Sequence, residues 1–162
     1  MKYLVTGGSG FIGSHLVEHL LKNRHSVINI DNFDDFYDYR IKIRNTLESV
    51  GKPFEFSFHN KEHDIQKLIF ETSTKHYQIY NQDIRDKAGL EKIFSKHKID
   101  TVIHLAALAG VRPSIENPLE YEEVNVKGTM NLWEICKEFK INKFISASSS
   151  SIYGNNIKIP FS

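Results

Sequence analysis

Only one cysteine occurs in 162 residues. A lone thiol, Cys136, excludes an internal disulfide and any zinc cluster built from several thiolates, and leaves Cys136 as a small core residue. Charge of either sign is not in excess either. Lys plus Arg total 21 and Asp plus Glu total 20, a formal charge of +1. No field builds up to hold nucleic acid or an anionic membrane. Wholly apolar runs last only a few residues, too short to span a bilayer, and Met1 leads almost directly into a strand-like segment rather than a signal-peptide core. The expected location is cytoplasmic. Repeats and low-complexity tracts are missing as well. What is present, 40% hydrophobic, 12% aromatic and 25% charged residues, is the composition of an ordinary globular domain. The length suits one domain with a real core.

Hydrophobic periodicity alternates between strand and helix. Residues 2–6 (KYLVT) read as a strand, and Ile12, Leu16, Val17, Leu20 and Leu21 recur at helical spacing after a glycine turn. Residues 26–31 (SVINID) form a second strand ending in a carboxylate. Tyr39, Ile43, Leu47 and Val50 then mark a helix closed by Gly51. A short third strand at 77–80 precedes a helix carrying Leu90, Ile93 and Phe94. Residues 101–107 (TVIHLAA) are apolar on both faces, as a buried parallel strand requires. A loop through Pro113 and Pro118 leads to a long helix with Tyr121, Val124, Gly128, Leu132, Ile135 and Phe139 along one side, and 143–148 return as a fifth strand. Such alternation implies an α/β protein with right-handed crossovers and a parallel sheet covered on both faces. Residues 52–76 break the rhythm and read as a surface insertion with a short helix around Ile65, Leu68 and Ile69.

Gly7, Gly10 and Gly13 stand in G-x-x-G-x-x-G spacing between the first strand and first helix. This turn lets backbone approach a pyrophosphate, aims helix N-terminal N–H groups at it, and seats the helix tightly on the strand. Tight turns also collect glycine for steric reasons alone. Asp31, which lies 18 residues after Gly13 at the end of the second strand, can accept hydrogen bonds from both adenosine ribose hydroxyls and repel a 2′-phosphate, which points to NAD rather than NADP. A turn or cap role for Asp31 and Asn32 is the alternative. Asp83, before Ile84, can reach an adenine amino group or cap the helix that starts near Asp86. Spacing alone favours the cap. Leu105, Ala106 and Ala107 offer small side chains at the strand end, where a dinucleotide can lie flat, although packing can ask for small residues too. His104 reads as a core or hydrogen-bonded histidine. No set of metal ligands stands out.

The fifth strand ends in Ser148–Ser151, followed by Ile152, Tyr153 and Gly154. Four serines ordinarily suggest a flexible loop. At the carboxyl end of a buried strand, hydroxyls can instead hydrogen-bond a reacting oxygen. Taken together, TGGSGFIGS at 6–14, DN at 31–32, DIRD at 83–86, HLAA at 104–107 and SSSSIYG at 148–154 resemble the extended short-chain dehydrogenase/reductase family acting on nucleotide sugars. Within it, AGVRPSIENP at 109–118 and DNFDDFYD at 31–38 are most similar to UDP-glucuronate 4-epimerases of the capsular polysaccharide type.

The resemblance implies a Rossmann-like doubly wound parallel sheet with helices on both faces. It also implies a tightly held NAD that takes a hydride from C4 of a UDP-sugar and returns it to the other face of a 4-keto intermediate. Ser149 matches the catalytic serine that bonds the C4 oxygen. Gly7, Gly10, Phe11 and Ile12 match the pyrophosphate turn, and Asp31 and Asn32 the ribose contact. Asp83 and Ile84 match the adenine contact, which reverses the preference for a cap. Leu105, Ala106 and Ala107 match the strand-four platform, and Asn125 an asparagine facing the cofactor. Nucleotide-sugar 4,6-dehydratases and UDP-xylose-forming decarboxylases carry acidic residues after the matching serine, because proton abstraction beside a ketone needs a base. Here those positions are Ser150 and Ser151. Ala109 stands where many UDP-glucose 4-epimerases have lysine, which favours the glucuronate branch.

The family's general base is a tyrosine followed at the fourth position by lysine, and none of the seven tyrosines has that neighbour. A free tyrosine hydroxyl, with a pKa of about 10, needs such a cation near neutrality. The expectation is an NAD-binding domain over 1–162, truncated before the substrate domain and inactive in epimerisation by itself. UDP-glucose epimerisation, dehydration, and a non-catalytic NAD-binding module are the competing readings. Relatives of this kind are usually homodimers through the long helix, whose Tyr121 and Trp133 can also serve intramolecular packing. Arg112 can face an acidic sugar or a diphosphate, or form a surface ion pair.

Overall fold

Strict alternation along the strands decides which side chain enters which half of the core. The computed structural model describes residues 1–161. Its strands β1 (Lys2–Thr6), β2 (Ser26–Asp31), β3 (Tyr77–Asn81), β4 (Thr101–His104) and β5 (Phe144–Ser146) form one sheet in the order β3-β2-β1-β4-β5. Every pairing is parallel. Leu4, Ile28, Ile30 and Val102 point to one face and pack with Leu90, Ile93, Phe94, Leu132 and Ile135. Val5, Val27, Ile79 and Ile103 point to the other and pack with Val17, Leu20, Ile43, Leu47, Ile65 and Leu68. The doubly wound α/β expectation holds, and strand order reverses between β1 and β4, where such sheets open a crevice at their carboxyl ends.

The helices are α1 (Phe11–Lys22), α2 (Tyr39–Ser49), α3 (Lys61–Thr72), α4 (Lys87–Lys96), α5 (Val111–Glu116), α6 (Pro118–Tyr121) and α7 (Thr129–Glu138). A π-helical stretch, Glu122–Gly128, joins α6 to α7, and helical dihedrals at Glu122 and Thr129 make them one rod. Gly128 lies against Ile84, where a Cβ would come within 2.7 Å of the isoleucine Cδ1. Cys136 is buried as expected, and burial pushes its thiol up to about 11.

Four details differ from the periodicity. Helix α3 is not confined to the surface, because Ile65 and Leu68 are buried in the core against β3. The segment around Pro113 is helical rather than a loop, and Pro118 occupies the first turn of α6, where its missing N–H costs nothing. Strands β4 and β5 are shorter than 101–107 and 143–148, because the chain leaves the sheet at its carboxyl edge. Ile12, counted on the apolar face of α1, is 70% exposed at the helix start. Among the described residues no helix is long and apolar enough to cross a membrane.

Candidate functional site

Close approach of backbone to backbone shapes the β1–α1 turn. Gly7 has φ +69°, and a Cβ there would meet the Ala106 nitrogen at 2.8 Å. A Cβ at Gly13 would run into the Gly7 carbonyl and come within 2.7 Å of the Gly8 Cα. The turn therefore sits flush against the chain leaving β4. Gly10 is the N-cap of α1; no side chain caps that end, and no carboxylate lies in its first turn. The leading amides and the positive end of a 12-residue helix are left to an external anion. Phe11, exposed by 74%, and Ile12 line the opening.

Ser9, fully buried, pins the turn from below. Its hydroxyl accepts from the Asn29 amide at 3.1 Å and from the Thr46 hydroxyl at 2.9 Å, and its backbone N–H donates to Asp31 Oδ2 at 3.2 Å. Sequence reasoning passed over Ser9 because a serine in a glycine turn looks like a spacer.

Asp31 ends β2 with 5% exposure. Its Oδ1 accepts from Phe33 N at 2.9 Å and from Lys42 Nζ at 3.1 Å, so it has turn contacts as well as a place in the cleft. Oδ2 accepts only the Ser9 amide among the described residues and keeps capacity for a ligand hydroxyl. Lys42 was also missed, since a lysine on α2 carries no signal of pairing with a strand-end carboxylate. Asn32 donates to Asp83 Oδ2 at 3.0 Å. Asp83 does not cap α4; Asp86 does, accepting from Gly89 N at 3.0 Å. Burial works to raise the Asp83 carboxyl, but hydrogen bonds from Arg85 and Asn32 outweigh it and bring it down to about 2. Asp31, Asn32, Lys42 and Asp83, with Gly7, Gly10, Ile84, Leu105, Ala106 and Ala107, line a cleft of about 420 Å³.

A second cleft, of about 850 Å³, shares Leu105–Ala109 and Ala147 with the first and continues to Ser149. Ser149 is exposed and N-caps a 3₁₀ turn over Ser150–Tyr153; its hydroxyl accepts from Ser151 N at 3.2 Å. Asn125 opens on this cleft rather than the first, and both ends of its amide are engaged by Leu108, accepting from its N–H at 2.8 Å and donating to its carbonyl at 3.0 Å. It is a clamp on the platform. No Asp or Glu lines the second cleft among the described residues. Its titratable groups are His104 and Tyr121. Burial holds the His104 ring down at about 4, and its nitrogens bond the hydroxyls of Thr6 at 2.7 Å and Thr129 at 2.9 Å. That is the hydrogen-bonded core histidine expected. The Tyr121 hydroxyl donates to the Ala109 carbonyl at 2.6 Å, and burial raises its pKa. Neither is a ready base, so the arrangement can position an oxygen but cannot by itself take a proton from carbon. Arg112 is exposed and makes no ion pair among the described residues.

Comparison with known proteins bears on this geometry. Protein CapI of Staphylococcus aureus is 41% identical over 162 residues, covering 100% of this chain and 42% of its own length. UDP-glucuronate 4-epimerase of Thermodesulfobacterium geofontis is 42% identical over 151 residues, 93% of this chain and 40% of that protein. UDP-glucose 4-epimerase from Bifidobacterium longum, solved in complex with NAD+ and UDP, superposes with a TM-score of 0.72 at 29% identity over 99% of this chain and 40% of that one. The chain thus spans about two fifths of the length of the relatives it matches. A family model described as GDP-mannose 4,6 dehydratase matches residues 4–162, and with the nucleotide-sugar motifs seated at one crevice of a Rossmann-like sheet, the chain belongs to that family.

Proposed function

We propose that the protein to which this chain contributes is an NAD-dependent UDP-sugar 4-epimerase, with UDP-glucuronate and UDP-galacturonate as the favoured pair. One observation carries the reading. The glycine turn, Asp31 and the Leu105–Ala107 platform line a cleft that continues into one containing Ser149, so a ligand gripped at its adenosine end can reach the serine hydroxyl with its other end. The residues fit NAD: glycines whose Cβ atoms would collide, an uncapped helix end for the pyrophosphate, and a buried carboxylate with an underused oxygen for the ribose. When bound, NAD supplies reversible hydride transfer at C4 of the sugar.

In this reading Asp31 and Asn32 contact the ribose, Asp31 repelling a 2′-phosphate, with Asp83 and Ile84 toward the adenine. The Leu105–Ala107 backbone, clamped through Leu108 by Asn125, forms the floor. Ser149 donates to the C4 oxygen. A cleft without a carboxylate among the described residues favours epimerisation over dehydration, since elimination next to a ketone needs a base. Relatives are named for UDP-glucuronate and for UDP-glucose alike, so the sugar preference rests on Ala109 and the 109–118 segment. Because the chain contains no Tyr-x-x-x-Lys, we propose that these residues bind the cofactor but do not turn over substrate by themselves. Dimerisation through the α6–α7 rod is part of the same proposal; Leu119, Val126, Met130 and Trp133 along it are 80%, 54%, 46% and 50% exposed.

Mass spectrometry of small molecules released on denaturing the purified protein tests the cofactor: NAD is expected, and NADP or no dinucleotide overturns it. In the whole protein, conversion of UDP-glucuronate to UDP-galacturonate should collapse on Ser149→Ala. Unchanged turnover removes Ser149 from the mechanism.

A further inference from the structure

Helix α3 and the segment before it bring together a cluster that neither cleft uses. One ring nitrogen each from His59 and His63 and one carboxylate oxygen of Asp64 lie within 4.8 Å of one another. His63 Nδ1 is 3.5 Å and His59 Nδ1 3.9 Å from Asp64 Oδ1. Donors on one tetrahedral zinc ion, at 2.0–2.2 Å from the metal, stand about 3.3–3.6 Å apart. The His63–Asp64 edge has that spacing; His59 Nδ1, a few tenths of an ångström too far, donates to the Ser57 carbonyl at 3.2 Å and gives up that bond on joining an ion.

Asp64 makes the cluster unusual. Its side chain is fully buried, yet no lysine or arginine pairs with it among the described residues; two imidazoles are its neighbours instead. A buried carboxylate without a cation is costly. The carboxylate is held in place by the Tyr39 hydroxyl, which donates to Oδ2 at 3.0 Å, and by the His59 N–H, which donates to Oδ1 at 3.0 Å. Outer hydrogen bonds of this kind orient metal-ligating carboxylates. The histidine side chains are 61% and 55% exposed, so an ion can arrive from solvent and keep a water as its fourth ligand.

We propose that His59, His63 and Asp64 form a binding site for a borderline divalent transition-metal ion, zinc being the reference case. Two imidazoles and one carboxylate suit such an ion and disfavour magnesium or calcium, which take oxygen ligands. Bound there, the ion ties the segment before α3 to the first turn of that helix. The sequence offered little warning, because a site without cysteine rests on two histidines and one aspartate in a charged stretch.

The test is isothermal titration of chelator-treated full chain with ZnCl2, and with MgCl2 as control, followed by CoCl2 as a spectroscopic reporter. One zinc per chain is expected, with no magnesium heat and a tetrahedral cobalt absorption band. His59→Ala and His63→Ala, both at exposed rings, should each weaken zinc binding by about tenfold or more and remove the cobalt band. Zinc bound with unchanged stoichiometry and affinity by the double variant, or no zinc binding by the parent chain, overturns the site. Should a variant lose its fold, His63→Gln keeps a neutral polar side chain and must still lose the cobalt band.

Discussion

Two glycines with nearly the same φ should respond very differently to alanine. Gly7 has φ +69° and Gly51 φ +71°, but a Cβ at Gly7 meets the Ala106 nitrogen at 2.8 Å whereas one at Gly51 meets nothing within 4 Å. The left-handed conformation costs an alanine about 1–2 kcal/mol at either position. At Gly7 the collision is with backbone, which cannot rotate away, and overpacking of this sort adds about 1–3 kcal/mol. Gly7→Ala should therefore destabilise by about 2–5 kcal/mol and Gly51→Ala by about 1–2 kcal/mol. At this chain length each kilocalorie shifts the melting temperature by about 2–4 °C. Calorimetric melts side by side should then show losses of about 4–20 °C and about 2–8 °C. Retention of NAD should drop with Gly7→Ala alone, because the turn must lift away from the platform to admit the methyl group. Equal melting shifts for the two variants, with equal NAD retention, would refute the claim that the turn is built by contact with the β4 exit.

Acid should weaken the fold through His104. Its ring is held at about 4 when folded against about 6.5 when unfolded, so the unfolded chain takes the proton first and the stabilisation, complete above pH ~6.5, is lost as pH falls toward 4. Urea midpoints should show about 2 kcal/mol less stability at pH 5 than at pH 7.5 from this group, and His104→Gln should flatten the difference; parallel slopes would count against it. Asp31→Asn removes the charge we propose for the ribose contact and should weaken NAD binding about 10- to 100-fold while narrowing the preference over NADP, measured by calorimetric titration. Unaltered NAD affinity sinks the ribose role. Asn125→Ala leaves both backbone groups of Leu108 without their clamp and should cost about 1–3 kcal/mol, seen as faster amide exchange at Leu108; unchanged exchange means the clamp is dispensable.

The strand–turn–helix start and the strand-end Asp31 are legible in sequence because period-two and helical patterns switch across three closely spaced glycines and the second apolar run closes on a carboxylate. Asp83 and Asp86 are harder to separate. Both are aspartates near a helix start, and only the structure shows Asp86 taking the cap while Arg85 and Asn32 claim Asp83. Helix α3 hides its buried Ile65 and Leu68 among charged neighbours, so its share of the core depends on the sheet it meets. Lys42 and Ser9 stay invisible for a related reason: each acts on a residue that chain folding, not sequence proximity, brings beside it. The placement of Asn125 on Leu108 likewise follows from a helix whose hydrogen-bond period is not the one used to read it.

That wider turn of the rod works as a phase shifter. Asn125, inside it, must reach the platform, while Thr129, just beyond it, must meet His104 and Leu132 must enter the core. A regular α-helix advances about 100° per residue, so deleting one residue between Asn125 and Thr129 would swing everything downstream by roughly that angle relative to Asn125. The core would pull Leu132 and Ile135 back into place, and the platform clamp would be the contact given up. Grafting this platform onto another scaffold therefore means carrying over the extra residue along with the asparagine.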